Sequence, residues 1–157
     1  MKHRIARLTS CLAVVSIGLS TPALAQEIGA EPTFADINLS EGFTPDPTRI
    51  QVTAGGTIDA ARSRGGSCVG KIARAPDVRL TYDAGSLPLV IKVGSSEDTT
   101  LVINGANGRW YCDDDSGGGM DPAIRLNNPD SGVYEIWVGA YADEPVSATI
   151  FITELTD

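Results

Sequence analysis

From residue 49 onward the chain is a succession of short runs of β-branched and apolar residues, each cut off by Gly, Pro, Asn or Asp. That rhythm is the signature of an all-β sandwich or barrel. Strands are expected at residues 49–54, 78–82, 87–93, 99–104, 132–141 and 147–154, with weaker candidates at 57–60, 68–72, 109–112 and 123–126. Residues 26–47 are mostly polar and broken by Pro32, Pro45 and Pro47; they read either as a loose leader or as a stretch adding an edge strand at 35–39. No window carries a 3.6-residue period, so no helix is expected.

The alternation within runs says how each strand sits. Leu89, Ile91 and Val93 alternate with Val90 and Lys92, and Ile150 and Ile152 with Thr149, Phe151 and Thr153, so one face of each strand is buried more deeply. In 132–141 both faces are apolar, Val133 and Trp137 on one and Tyr134, Ile136 and Val138 on the other, as in a central strand. Asn104-Gly105-Ala106-Asn107-Gly108 accepts positive φ and reads as a hairpin loop. Asn128-Pro129-Asp130-Ser131-Gly132 reads as a turn feeding a last hairpin. Seven to ten short strands imply an antiparallel, jelly-roll-like β-sandwich of two packed sheets, with residues 48–157 as one domain and no linker dividing them.

The first residues change the picture of where this domain works. Lys2, His3, Arg4 and Arg7 precede an apolar run from Cys11 to Leu19, followed by Pro22 and Ala23-Leu24-Ala25. This is the layout of a secretory signal peptide over residues 1–25, and the run is too short to span a membrane. Leu8-Thr9-Ser10-Cys11 precedes the apolar run instead of following it, which argues against a lipoprotein box. Cleavage would remove three of twelve basic residues and none of twenty acidic ones, leaving nine against twenty and a net charge of −11. Such a chain repels phosphate backbones and anionic lipid, so nucleic-acid and membrane binding are not expected. A periplasmic or secreted location follows.

Cleavage would also take away the single histidine, His3, and Cys11. Without an imidazole, Ser-His-Asp and Cys-His catalysis and His-based zinc or copper sites are excluded. Cys68 and Cys112 remain as an even pair in an oxidising compartment and read as a disulfide, contributing about 4 kcal/mol by the chain-entropy estimate.

The most suggestive segment runs from Cys112 through Asp113, Asp114, Asp115, Ser116 and three glycines to Met120, Asp121 and Pro122. Asp115-Ser116-Gly117-Gly118 matches the surroundings of a chymotrypsin-type serine, but the mature chain would be too short for two barrels and would hold no histidine as general base. The carboxylates of Asp113, Asp114, Asp115 and Asp121, with Asp98 or Glu97 completing the set, offer hard oxygen ligands for a structural Ca2+. EF-hand spacing fails: Gly117 falls on the third ligand position and Ile124 where Glu is required. A third reading is a solvated acidic turn whose aspartates cap backbone N–H groups. The aromatic residues Trp110, Tyr111, Tyr134, Trp137 and Tyr141 read as core and sheet-face residues before they read as a carbohydrate platform. Arg62 and Arg64 read as solvated charges on a flexible loop, and Arg79 and Lys92 as partners for acids on neighbouring strands.

Asp98-Thr99-Thr100-Leu101, the glycine turn through Gly108, the pair Asp113-Asp114 and then Gly132-Val133-Tyr134-Glu135-Ile136-Trp137-Val138 follow one another in an order that resembles bacterial pre-peptidase C-terminal domains. The resemblance covers roughly residues 85–154. It implies a β-sandwich of the kind found beside secreted proteases, implicated in secretion, in substrate or matrix binding and sometimes in calcium binding. If the ion-binding tendency transfers, the matching positions are Asp98, Asp113 and Asp114, with Asp115 adjacent. No protease domain accompanies the module, and Cys112 directly precedes the Asp-Asp pair, both departures from the usual pattern. The functional expectation is an exported, non-catalytic binding module for an extracytoplasmic protein or polysaccharide. The alternative is a structural or inhibitor-like, protease-associated partner of an envelope or secreted protein.

Overall fold

The computed structural model describes residues 25–66 and 68–155; the signal-peptide reading therefore falls outside the described residues, apart from Ala25. Eleven strands and one short helix follow in the order β1 (Ala35–Ser40), β2 (Thr48–Ala54), β3 (Ile58–Asp59), α1 (Ala60–Arg64), β4 (Lys71–Ile72), β5 (Val78–Asp83), β6 (Leu89–Ser95), β7 (Thr99–Asn104), β8 (Trp110–Asp113), β9 (Ala123–Leu126), β10 (Gly132–Ala140) and β11 (Val146–Thr153). They form a four-stranded sheet, β2-β11-β6-β9, packed on a seven-stranded one. In the larger sheet the path runs β1-β5-β10-β4-β3, with β7 on the other flank of β10 and β8 beyond it. No described helix is long and apolar enough to cross a membrane.

The core lies between the sheets, where the inward side chains of both meet. Leu89, Ile91 and Val93 of β6 and Ala148, Ile150 and Ile152 of β11 face Val78, Leu80 and Tyr82 of β5 and Tyr134, Ile136 and Val138 of β10. The two-residue alternation along each strand is what puts these positions on one side. β10 is central, taking β5 along Gly132–Ile136 and β7 along Glu135–Ala140. The loop after Asn104 closes the β7–β8 hairpin, Gly105 donating to the carbonyl of Arg109 at 2.8 Å.

Three expectations are corrected. The larger sheet is mixed, because β1 pairs with β5 in parallel from Ala35↔Val78 to Ser40↔Asp83. The long excursion between these strands lets the chain return in the same direction, which a tight turn would forbid. Secondly, the turn at 128–132 does not feed a hairpin: β5 and β7 occupy both flanks of β10, so β11 crosses to the other sheet, between β2 and β6. Thirdly, residues 60–64 form a helix, started by Asp59, whose side chain accepts from the N–H of Arg62, and ended at Gly65 with φ 70°. One turn is too short to show a period in sequence.

The helix belongs to a second, smaller core. Trp137 and Val102 point outward from β10 and β7, and the segment carrying β3, α1 and β4 folds over them, so that Ile58, Ala60, Cys68 and Ile72 close around the indole. This explains why β10 is apolar on both faces. The approach is close: a Cβ on Gly56 would collide with the backbone carbonyl of Ile72, so only glycine fits there.

Candidate functional site

The acidic segment connects β8 in the larger sheet to β9 in the smaller, and it is stitched across the gap by its own backbone. Gly117 donates to the carbonyl of Asp121 at 2.8 Å, Val93 to that of Pro122 at 3.0 Å and Thr99 to that of Met120 at 3.3 Å. These last two bonds tie the segment to the β6–β7 turn, which carries Asp98.

The five candidate metal ligands divide into two groups. Asp113 and Asp121 are occupied with main-chain donors: Asp113 Oδ2 accepts from Ser116 N and Ala123 N, both at 2.9 Å, and Asp121 Oδ1 accepts from Ser95 N at 3.0 Å. For these two the turn-capping reading describes what the structure contains. Asp98, Asp114 and Asp115 are the second group. The Asp98 carboxyl is held above the ordinary carboxylate range by burial first and then by the charges of Asp115 and Asp114, so the three share one neighbourhood. The Oδ1 of Asp98 is buried and finds no hydrogen-bond partner. Among the described residues no set of three or more His, Cys, Asp or Glu side chains reaches the geometry of a metal site. The donor chemistry of Asp98, Asp114 and Asp115 thus suits a hard cation, while their arrangement stops short of a coordination shell.

Ser116 is on the exposed turn, and its hydroxyl donates to Asp113 Oδ1 at 2.6 Å. A carboxylate is a weak general base for an alcohol, and among the described residues no imidazole or amine joins the pair.

Cys68 and Cys112 are bonded as expected, and the bridge fastens the β3–α1–β4 flap to β8. Beside it Arg64 lies over the Trp110 ring at 3.8 Å from its centroid, and Trp110 lies 5.5 Å from Trp137. Arg64 also donates to Gln26 Oε1 at 2.9 Å. The reading of Arg64 as a solvated loop charge is therefore corrected, since it is packed as a cation–π lid on the smaller core. Arg62 is 89% exposed and pairs with Asp59 at 3.7 Å. Arg79 bridges Glu135 at 2.9 Å and Asp36 at 3.3 Å.

What sequence reading passed over is the sidedness of the molecule. The outer face of the larger sheet is covered by the flap over Trp137 and Val102 and carries Asp36, Asp83 and Glu135 on its strands. The four strands of the smaller sheet hold no Asp or Glu at all, in a chain whose formal net charge is −8. Their outward positions hold Arg49, Lys92 and Arg125, with Phe151 between the first two. The signal was available in the strand sequences, but only the pairing of the strands shows that the three cations share a face.

No family model matches the chain, and no curated protein matches it. Among solved structures it is similar to the pre-peptidase C-terminal domain of a collagenase from Bacillus anthracis, at 15% identity, covering 78% of this chain and 98% of that one with a TM-score of 0.47. It is also similar to PliG of Aeromonas hydrophila, a periplasmic inhibitor of g-type lysozyme, at 14% identity, 76% and 96% coverage and a TM-score of 0.39. The first is the kind of domain that the motif order from Asp98 to Val138 resembles. The assignment of a sandwich to this chain rests on its own two sheets and their shared core.

Proposed function

We propose that this chain is an exported, non-catalytic binding module that presents the outer face of its four-stranded sheet to an extracytoplasmic partner. One observation carries the reading: on one side of the sandwich a disulfide-pinned flap with its own core covers Trp137 and Val102, whereas no described helix or strand folds over the other, whose strands are free of carboxylates. Asp36, Asp59, Asp83, Asp113 and Glu135 stand on strands of the larger sheet, and no acid stands on those of the smaller. An open, charge-sorted face is the arrangement expected of a recognition surface. The disulfide supports an oxidising, extracytoplasmic compartment. Ser116, tied to a carboxylate on an exposed turn, supports no nucleophilic chemistry.

A structural Ca2+ belongs to the same proposal. Asp98, Asp114 and Asp115 would hold it, with Asp113 and Asp121 shaping the loop beneath; its charge would offset the crowding of carboxylates between the β6–β7 turn and the β8–β9 loop.

The binding reading is tested by co-sedimentation of the purified chain with extracellular and cell-envelope material of the producing organism. Wild type is expected to sediment, and the Arg49→Glu, Arg125→Glu variant to remain in the supernatant. Equal sedimentation of the two, or none by wild type, overturns it.

A further inference from the structure

Gln26 directly follows Ala23-Leu24-Ala25, and it is packed into the fold although Ala25 beside it is exposed. Gln26 itself is 6% exposed. The N–H of Glu27 donates to the carbonyl of Arg74 at 2.9 Å, which ties the next residue to the segment after β4. The Oε1 of Gln26 accepts from Arg64 Nε at 2.9 Å, and the same guanidinium lies over the Trp110 ring. The Nε2 of that amide is buried and has no hydrogen-bond partner. One half of the amide is therefore recognised and the other half is not. A buried amide donor left unpaired costs stability, and native folds keep few of them.

We infer that the leader is cut after Ala25 and that Gln26, as the new N-terminus, closes to a pyroglutamate held by Arg64 at the edge of the flap. The inference rests on the export in the reading above and is independent of the open sheet face. The step balances within one residue. The neutral α-amine of Gln26 attacks the Cδ of its own side chain, and the new N–Cδ bond completes a five-membered lactam. The Cδ–Nε2 bond breaks, and Nε2 leaves as ammonia with the proton that the amine gives up, so no co-reactant is required. The atom that leaves is the one without a partner, and the oxygen that stays is the one Arg64 holds. A donor on that oxygen also stabilises the charge that develops there during attack. Charge favours the same product. With an ordinary pKa of about 8, an unclosed α-amine is an ammonium at neutral pH. It would set a second positive charge on the residue that Arg64 already touches, where burial has lowered the guanidinium below its ordinary value. Like charges with little water between them repel strongly. The lactam is neutral and keeps its acceptor, so the terminus stays packed and Arg64 stays on Trp110.

The test uses the full chain, exported with its own leader into a bacterial periplasm, purified and held at neutral pH until its mass is constant. The mass is expected to equal that of residues 26–157 with the disulfide closed, less one ammonia, and peptide mapping should place the loss on Gln26. A pyroglutamyl aminopeptidase should release the blocked residue from the folded chain at least tenfold more slowly than from the reduced and alkylated chain, because the ring is buried. In Arg64→Ala most of that protection should be gone, with the flap still fastened by Cys68–Cys112. A cleaved chain with a free Gln26 amine, or with its terminus at another residue, overturns the lactam and leaves export in place. A leader still attached overturns the export reading as well. Release from folded wild type as fast as from the alkylated chain, or equal protection in Arg64→Ala, overturns the seat at Arg64. The wild-type measurements decide the matter even where Arg64→Ala does not fold.

Discussion

Asp77 is 1% exposed, at the junction where β1, β5 and β10 meet. Its Oδ2 accepts from the N–H of Val138 at 2.6 Å, and its own N–H donates to the carbonyl of Ile136 at 2.8 Å. Burial pushes its carboxyl up to about 7, against the lowering influence of the Val138 bond. Between about pH 4 and 7 the folded chain therefore holds a proton that the unfolded chain has released. Stability from this group is complete below the unfolded value and is lost as pH rises through 7. Asp77→Asn keeps an acceptor for Val138 and has no proton to lose. Chemical denaturation of both proteins should show the variant gaining on wild type as pH rises from 4 to 8, by a few kcal/mol at most. A difference that stays constant across that range would show that Asp77 is not the group responsible. The same residue shows the limit of reading one position at a time. In sequence Asp77 is an ordinary turn acid after Pro76, and nothing there announces that three strands close over it.

At the scale of elements, the strands were legible, whereas the helix and the folding of β3 and β4 over Trp137 were not. All ten strand segments expected between residues 49 and 154 contain or overlap observed strands, because period-two alternation is a local property that needs no partner. The flap is different: β3, α1 and β4 are two, five and two residues long, and their apolar side chains make sense only over Trp137 and Val102. The Cys68–Cys112 bond, 44 residues apart in sequence, holds that cover down. Replacing both cysteines by serine should cost up to about 4 kcal/mol. It should also shift tryptophan emission to the red, since both tryptophans of the chain lie under the flap. A variant that keeps its unfolding midpoint and its emission maximum would mean that the flap holds without the bridge. Across the molecule, Asp98, Asp114 and Asp115 bring the β6–β7 turn and the β8–β9 loop into electrostatic contact. Ca2+ at millimolar concentration should raise the melting temperature of wild type, and of Asp98→Asn far less, with chelator reversing the rise. No shift in wild type would sink the ion site and leave the loop as a capped acidic turn.

For the molecule as a whole, the decisive property is how charge is divided between its two sides. A net charge of −8 over the full chain favours solubility and repels anions at long range, yet salt at 0.1 M screens that repulsion beyond about 10 Å. Within that distance an approaching anion meets the outward Arg49 and Arg125, and the strands beneath them carry no acid. Composition alone gives the opposite impression, of a protein suited only to cations. Strand positions, the central place of β10, the β7–β8 hairpin, the pairing of two cysteines and the lack of any histidine but His3 were all determined by the sequence itself. Each depends on neighbours along the chain or on residue counting. The parallel placement of β1, the passage of β11 to the second sheet, the flap over Trp137, the division of five aspartates into two groups and the row Arg49–Phe151–Lys92 were decided only in the tertiary structure. These depend on which distant strands pair and in what register, and that is settled by burying the apolar faces of all the strands at once.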